Sequence, residues 1–302
     1  MFSGVKDLGI PVNIATGKSY QGQNVVTLWG QKAINDFSCN VWGTSRQWRS
    51  QGYRVIQNSI PSIICYRIVF NRPESDNVRT NGAKDGDQDQ IFSFVKRHCV
   101  FNGDQIDGFR VPPGPEKDGL EEIYAVDRFI TNCRARLIHK GVEAYYTYTS
   151  DTITMPEKYR FMGTATSSAT EGYYATLLHE LVHWTGAKNR CNRKFGLRFG
   201  DKLYAFEELV AEIGATFLCA ELNITPFPRA DHAQYIGHWV KRLKDSHNEI
   251  FRATDLAARA VNYLKKLQPD DCLQQRDETF RGNLLGGQRL DFLGPATSSR
   301  GG

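Results

Sequence analysis

An α+β fold in two domains is what this sequence predicts, and three observations carry the prediction. Strand-like runs at 53–56, 63–70 and 92–101 come first, and three long helical patterns at 171–186, 204–222 and 231–267 come last. Between them lies Pro112-Pro113-Gly114-Pro115, a stretch that neither helix nor sheet accommodates. Segregated strands and helices indicate α+β rather than alternating α/β. The boundaries follow as 1–120 for a small N-terminal α+β domain and 121–302 for a larger one. A chain of 302 residues that is 40% hydrophobic is long enough for a substantial core, and at about this size cores begin to divide.

Each element has its own local reason. From Asn24, the spacing of Val25, Val26, Leu28, Trp29, Ile34 and Phe37 fits one helix, broken near Gly43. Thr44 is placed to cap a short helix carrying Arg46, Trp48 and Arg49. The strand-like runs 53–56 and 63–70 are separated by Pro61, and residues 71–90 are an Asn-, Asp- and Gly-rich loop without apolar period. The run 92–101 is then the natural partner of 63–70. Helical spacing resumes over 121–136, with Ile123, Val126, Phe129 and Ile130 facing a core. Residues 142–155 alternate loosely around Tyr145, Tyr146 and Tyr148 and end at Ile153-Thr154-Met155, where Pro156 stops the strand. This last strand is expected to offer an edge for an extended peptide. Beyond Pro269 the chain is polar and Gly-rich, as expected of a partly ordered tail.

Composition excludes several classes. Seven cysteines, an odd number with no Cys-x-x-Cys pair, do not form a disulfide framework or a cysteine zinc site. The beginning of the chain lacks a secretory pattern, and no apolar window approaches a membrane span, so a soluble cytoplasmic protein is expected, with no membrane partner. Net charge is only +5, but residues 1–70 hold Lys6, Lys18, Lys32, Arg46, Arg49, Arg54 and Arg67 against Asp7 and Asp36. The basic excess is therefore N-terminal.

The chemistry is concentrated in His179-Glu180-Leu181-Val182-His183. Residues four apart share a helix face, so two imidazoles can converge on one ion while Glu180 reaches the water bound to it. By chance this pattern arises in about one chain per hundred of this length, so its context matters. Leu177, Leu178, Leu181 and Val182 would hold the helix in the core, and Gly186 would end it. The plainer alternative is two half-buried histidines with local hydrogen bonds. A hydrolytic zinc site needs a third ligand, and the next helix offers Glu207-Glu208-Leu209-Val210-Ala211-Glu212. Glu208 and Glu212 share a face, so one can bind the ion while the other accepts a proton from the far nitrogen of a histidine. We assign the ligand to Glu208 and the supporting role to Glu212, with the reverse next. Glu207, about 100° round the helix, falls outside that pair. Zinc is the first choice, although imidazole and carboxylate ligands also accept manganese and other divalent transition metals. In such a site Glu180 would be the general base, with His232, Tyr235 or His238 stabilising the oxyanion.

A second pattern interleaves aromatic and cationic residues: Trp42, Arg46, Trp48, Arg49, Tyr53 and Arg54. Rings under bases and cations along phosphates are how single-stranded DNA is held. Burial of both tryptophans with solvated arginines is the competing reading, and composition does not separate the two. Arg67, Lys96 and Arg97 would extend such a surface.

Several segments together resemble a known family. Gly9-Ile10-Pro11-Val12-Asn13, Thr16-Gly17-Lys18-Ser19-Tyr20 and Trp42-Gly43-Thr44-Ser45-Arg46-Gln47-Trp48 are similar to the N-terminal single-stranded-DNA-binding domain of ArdC-type antirestriction proteins of plasmids and phages. The run from Tyr173 through His183-Trp184-Thr185-Gly186 and the Tyr204-Ala205-Phe206-Glu207-Glu208 helix resemble that family's zincin-like, gluzincin-type metallopeptidase domain. The resemblance implies a protein of a mobile element that binds single-stranded DNA, with host restriction proteins or other DNA-bound proteins as further partners. By position it implies His179, His183 and Glu208 as metal ligands and Glu180 as the catalytic residue of a metal-dependent hydrolase. It also leaves room for a zincin domain that is structural or protein-binding.

Overall fold

The structure, a computed structural model, describes residues 9–70, 92–111, 119–164, 167–196, 202–224 and 247–269. The expected loop at 71–90, the first half of the helical pattern 231–267 and the C-terminal tail lie outside these residues, as do His232, Tyr235 and His238.

The N-terminal part is built on a four-stranded sheet. Its strands β1 (Val12–Asn13), β2 (Val41–Gly43), β4 (Ser62–Phe70) and β5 (Phe92–Asn102) stand in the order β1-β2-β5-β4. As expected, β4 and β5 pair antiparallel, from Ser62↔Val100 to Phe70↔Phe92. Helix α1 (Gln23–Ile34) lies against β4, where Asn24 imitates a strand rung. Its Nδ2 donates to the Cys65 carbonyl at 2.9 Å and its Oδ1 accepts from the Cys65 amide at 3.0 Å. Thr44 caps α2 (Ser45–Ser50) in a reciprocal capping box with Gln47. The pair β3 (Arg54–Val55) and β6 (Ile106–Asp107) completes this part.

Helix α3 (Gly119–Asn132) stops short of its expected end because Arg136–His139 form strand β7. Strands β8 (Tyr145–Thr147) and β9 (Thr152–Met155) join it in the order β7-β9-β8, parallel on one side and antiparallel on the other. The expectation that residues 153–155 form an edge is therefore corrected. β9 is the central strand, fully buried, and the edges belong to β7 and β8.

α4 (Ala169–Thr185) packs against this sheet, and α5 (Lys202–Glu221) and α6 (His247–Lys266) pack on α4 and on each other. α6 buries Ala253, Ala257, Ala260, Val261 and Leu264, one stripe at helical spacing. One hydrophobic core joins residues on both sides of position 120. Val25, Leu28, Trp42, Ile64 and Val100 belong to the same cluster as the inner faces of α4, α5 and α6. Trp29 of α1 meets Phe217 of α5 with ring centroids 5.8 Å apart.

Candidate metal centre

Helix α4 begins where Ser168 accepts from the Glu171 amide while the Glu171 carboxylate accepts from the Ser168 amide at 2.6 Å. Leu177, Leu178, Leu181 and Val182 are buried, so the helix is fixed in the core with Glu180 and His183 also largely covered. It ends at Thr185, as expected, but not through a left-handed glycine. Gly186 has φ −73°, and its lack of a side chain makes room for Phe195 and the Arg193 guanidinium.

The next helix comes close enough to complete a site. A Cβ on Gly214 would lie 2.9 Å from a Val182 methyl, so α4 and α5 are in near-backbone contact there. That closeness brings the α5 carboxylates to the α4 imidazoles. The two Nε2 atoms of His179 and His183 are 3.1 Å apart, and the Glu208 carboxylate lies 3.6 Å from the first and 3.4 Å from the second. Zinc–ligand bonds near 2.0–2.1 Å at tetrahedral angles separate ligand atoms by about 3.4 Å. The three side chains thus have the spacing and donor set of a divalent transition-metal site. Among the described residues no other group of this kind is placed to share an ion.

Both far nitrogens are held by carboxylates. His179 Nδ1 is 3.1 Å from Glu212, and His183 Nδ1 is 3.1 Å from Glu207. With the proton on Nδ1, each Nε2 lone pair points inward. Glu212 thus stands at the outer nitrogen of His179, away from the Nε2 atoms that face Glu208. The exclusion of Glu207 does not hold. Two imidazoles one turn apart turn their Nδ1 atoms toward different sides of α5, so the second partner comes from a different azimuth. Glu207 is in turn gripped by Arg193, from the loop after α4, at 2.8 and 2.9 Å.

The electrostatics follow from this ring of acids. Burial opposes charge on both histidines, but the hydrogen bonds that Glu208 and Glu212 accept from His179 hold it well above its ordinary value. Those that Glu207 and Glu208 accept from His183 raise it to about 9. Burial likewise opposes the charge of Glu208, and the two histidines outweigh it, keeping the carboxyl far below its usual range. Tyr204, one turn before Glu208, is pushed up to about 12 by burial, then by the charge of Glu208 and by donating a hydrogen bond to it, with Glu180 adding to the effect. Its i, i+4 relation to Glu208 was legible; Arg193, in an irregular loop, carried no periodic signal.

The expected DNA-contact residues divide. Lys18, Arg46, Arg49 and Arg54 are exposed. Trp42 and Trp48 are a correction, since both are fully buried. Trp42 packs edge-on against Phe37, and Trp48 donates its Nε1–H to the Phe101 carbonyl at 3.1 Å while contacting Tyr53 and Phe109. Apolar burial claims both rings, so neither is presented for base stacking. The Arg67 side chain lies outside the described ones.

The fold and the paired helices define a zincin-like metallopeptidase domain joined to a basic N-terminal α+β unit. Residues 124–256 match the family model of zincin-like metallopeptidases, and residues 2–101 match that of the N-terminal domain of the anti-restriction factor ArdC. A protein of Sinorhizobium fredii is 32% identical over 272 residues, covering 89% of this chain and 84% of that one. The Escherichia coli DNA primase TraC is 31% identical over 95% of this chain, which spans only 27% of the primase. Among solved structures, the antirestriction protein ArdC of the R388 plasmid is 32% identical and covers 87% of this chain, which covers 89% of it. The TM-score is 0.64 to its metal-free form and 0.63 to its Mn(II)-bound form. The chain belongs to the ArdC-type antirestriction protein family. No helix among the described residues is long and apolar enough to cross a membrane.

Proposed function

We propose that this antirestriction protein binds single-stranded DNA through its N-terminal part and hydrolyses peptide bonds of DNA-associated proteins at a divalent-metal centre. The convergence of His179, His183 and Glu208, with Glu180 on the same helix turn, carries the reading. Zinc suits two imidazoles and one carboxylate, and the Mn(II)-bound relative supports a broader choice of ion.

A divalent ion held there would acidify a water molecule and polarise the scissile carbonyl. Glu180 would take the proton and return it to the leaving amine. Glu207 and Glu212 keep the imidazoles in the tautomer that ligation needs. Tyr204, with its hydroxyl at Glu208 and within electrostatic reach of Glu180, is a further candidate oxyanion donor beside His232, Tyr235 and His238. For DNA, the exposed Lys18, Arg46, Arg49 and Arg54 support phosphate contacts, which are salt-sensitive and weakly selective.

Glu180→Gln tests the chemistry. The variant should retain its metal and lose peptide hydrolysis; wild-type hydrolysis would overturn the proposed catalytic role. Protection of transforming DNA, measured on the same variant, should fall with hydrolysis. Full protection without hydrolysis would instead assign antirestriction to binding alone.

A further inference from the structure

Arg193 has no role in the ligand set, yet it is the most completely engaged side chain near it. Its side chain is 3% exposed, and that of Glu207 is 5% exposed. The guanidinium donates from Nε to Glu207 Oε2 at 2.9 Å and from Nη2 to Oε1 at 2.8 Å, a two-pronged grip. The same group donates from Nη1 to Thr185 Oγ1 at 2.7 Å and from Nη2 to the Val182 carbonyl at 2.6 Å. Val182 and Thr185 flank His183. One buried cation therefore ties the helix turn carrying His183 to the α5 carboxylate that orients it.

The need for such a tie comes from Glu207 and Glu208 being neighbours. Both carboxylates are within hydrogen-bonding or ion-pairing distance of His183, one at Nδ1 and the other at Nε2. A carboxylate with rotational freedom at the first position could turn toward the ion and compete with Glu208. Arg193 occupies both oxygens of Glu207 and compensates a charge that would otherwise be buried among three other glutamates.

We propose that Arg193 is a positioning residue of the metal centre, confining Glu207 to the Nδ1 side of His183 and so reserving the ligand position for Glu208. Gly186 belongs to the same device, because a Cβ there would lie 3.0 Å from Arg193 Nη2. The inference rests on the metal-centre reading above and does not depend on peptidase activity or on DNA.

The test uses the full chain loaded with cobalt(II), with affinity measured by chelator competition and coordination followed by the visible absorption spectrum. Arg193→Lys keeps the charge but loses the fork. It should weaken cobalt binding about 10- to 100-fold, the usual effect of losing an outer partner of a ligand, and alter the cobalt band shape. Glu207→Gln should weaken binding comparably. The double variant should be no weaker than Arg193→Lys alone, because the arginine acts through Glu207. Unchanged affinity and spectrum in Arg193→Lys would overturn the proposal even if its melting temperature fell, since that pattern means a purely structural arginine. Additive losses in the double variant would overturn it too. Should Arg193→Lys not fold, Glu207→Gln decides through the same readouts, with unchanged cobalt affinity overturning the proposal. Wild-type protein that takes up no cobalt, or Glu208→Ala that binds as wild type does, would remove the metal reading itself and the role of Arg193 with it.

Discussion

Gly214→Ala isolates the close approach of α4 and α5 at the site. The added methyl would stand 2.9 and 3.0 Å from the two Val182 methyls, where carbon atoms ordinarily rest about 3.5–4.0 Å apart. Val182 has little rotamer freedom in a helix, so α4 and α5 must part by roughly 0.5–1 Å at this level. Overpacking of that kind costs about 1–3 kcal/mol, while replacing a mid-helix glycine returns about 1 kcal/mol. The net loss is about 0–2 kcal/mol, a fall of a few degrees in melting temperature. The ion is less forgiving, because ligand distances tolerate only about 0.2 Å and Glu212 and Glu208 ride on the displaced helix. Zinc affinity should therefore fall at least about tenfold, out of proportion to stability. Thermal unfolding of chelated protein and chelator competition for zinc measure the two effects separately. Adding Val182→Ala to Gly214→Ala should recover much of the affinity by restoring room. A more stable Gly214→Ala protein with unchanged zinc affinity would refute the close-contact argument.

Three further predictions concern protons and DNA. Because the surrounding carboxylates hold His179 and His183 above their ordinary values, they retain protons more strongly than free imidazoles, and an incoming ion must displace them. Zinc binding should release protons at pH 7, and affinity should climb as pH rises toward about 9, where His183 titrates. Calorimetry in two buffers of different ionisation enthalpy would show this, and zero release at pH 7 would contradict it. Replacing Arg46 and Arg49 with alanine should weaken single-stranded DNA binding and reduce the salt slope by about 0.7 per lost phosphate contact. Trp48→Phe should lower stability, since it removes the bond to Phe101, yet leave DNA affinity at each salt concentration unchanged. Gel-shift titrations that found the tryptophan variant impaired and the arginine variant intact would reverse the assignment.

Local signals made much of this molecule legible. Thr44 announced a helix start because its side chain satisfies an amide that no backbone group can reach. His179 and His183, then Glu208 and Glu212, were readable as pairs because a four-residue spacing fixes one helix face. What escaped depended on packing between segments distant in sequence. The two-residue strand β1 is placed in the sheet by its parallel pairing with β2, and β9 became central only when β7 joined its far side. Trp42 and Trp48 looked like a binding pattern because alternation with arginine says nothing about which face is covered. Glu207 was missed for a geometrical reason. Its azimuth was compared with that of Glu208, whereas its partner is the outer nitrogen of His183 and its charge is compensated by Arg193.

The centre itself is tested most directly by zinc titration of the wild type, Glu208→Ala, Glu207→Ala and Glu212→Ala under identical conditions. Wild-type protein should bind one zinc per chain. Glu208→Ala should lose the greater part of its affinity, because it removes a ligand, while the other two should lose about 10- to 100-fold, because each removes only the partner of a histidine. A loss for Glu207→Ala or Glu212→Ala equal to or larger than that for Glu208→Ala would contradict the assignment on which the whole account depends.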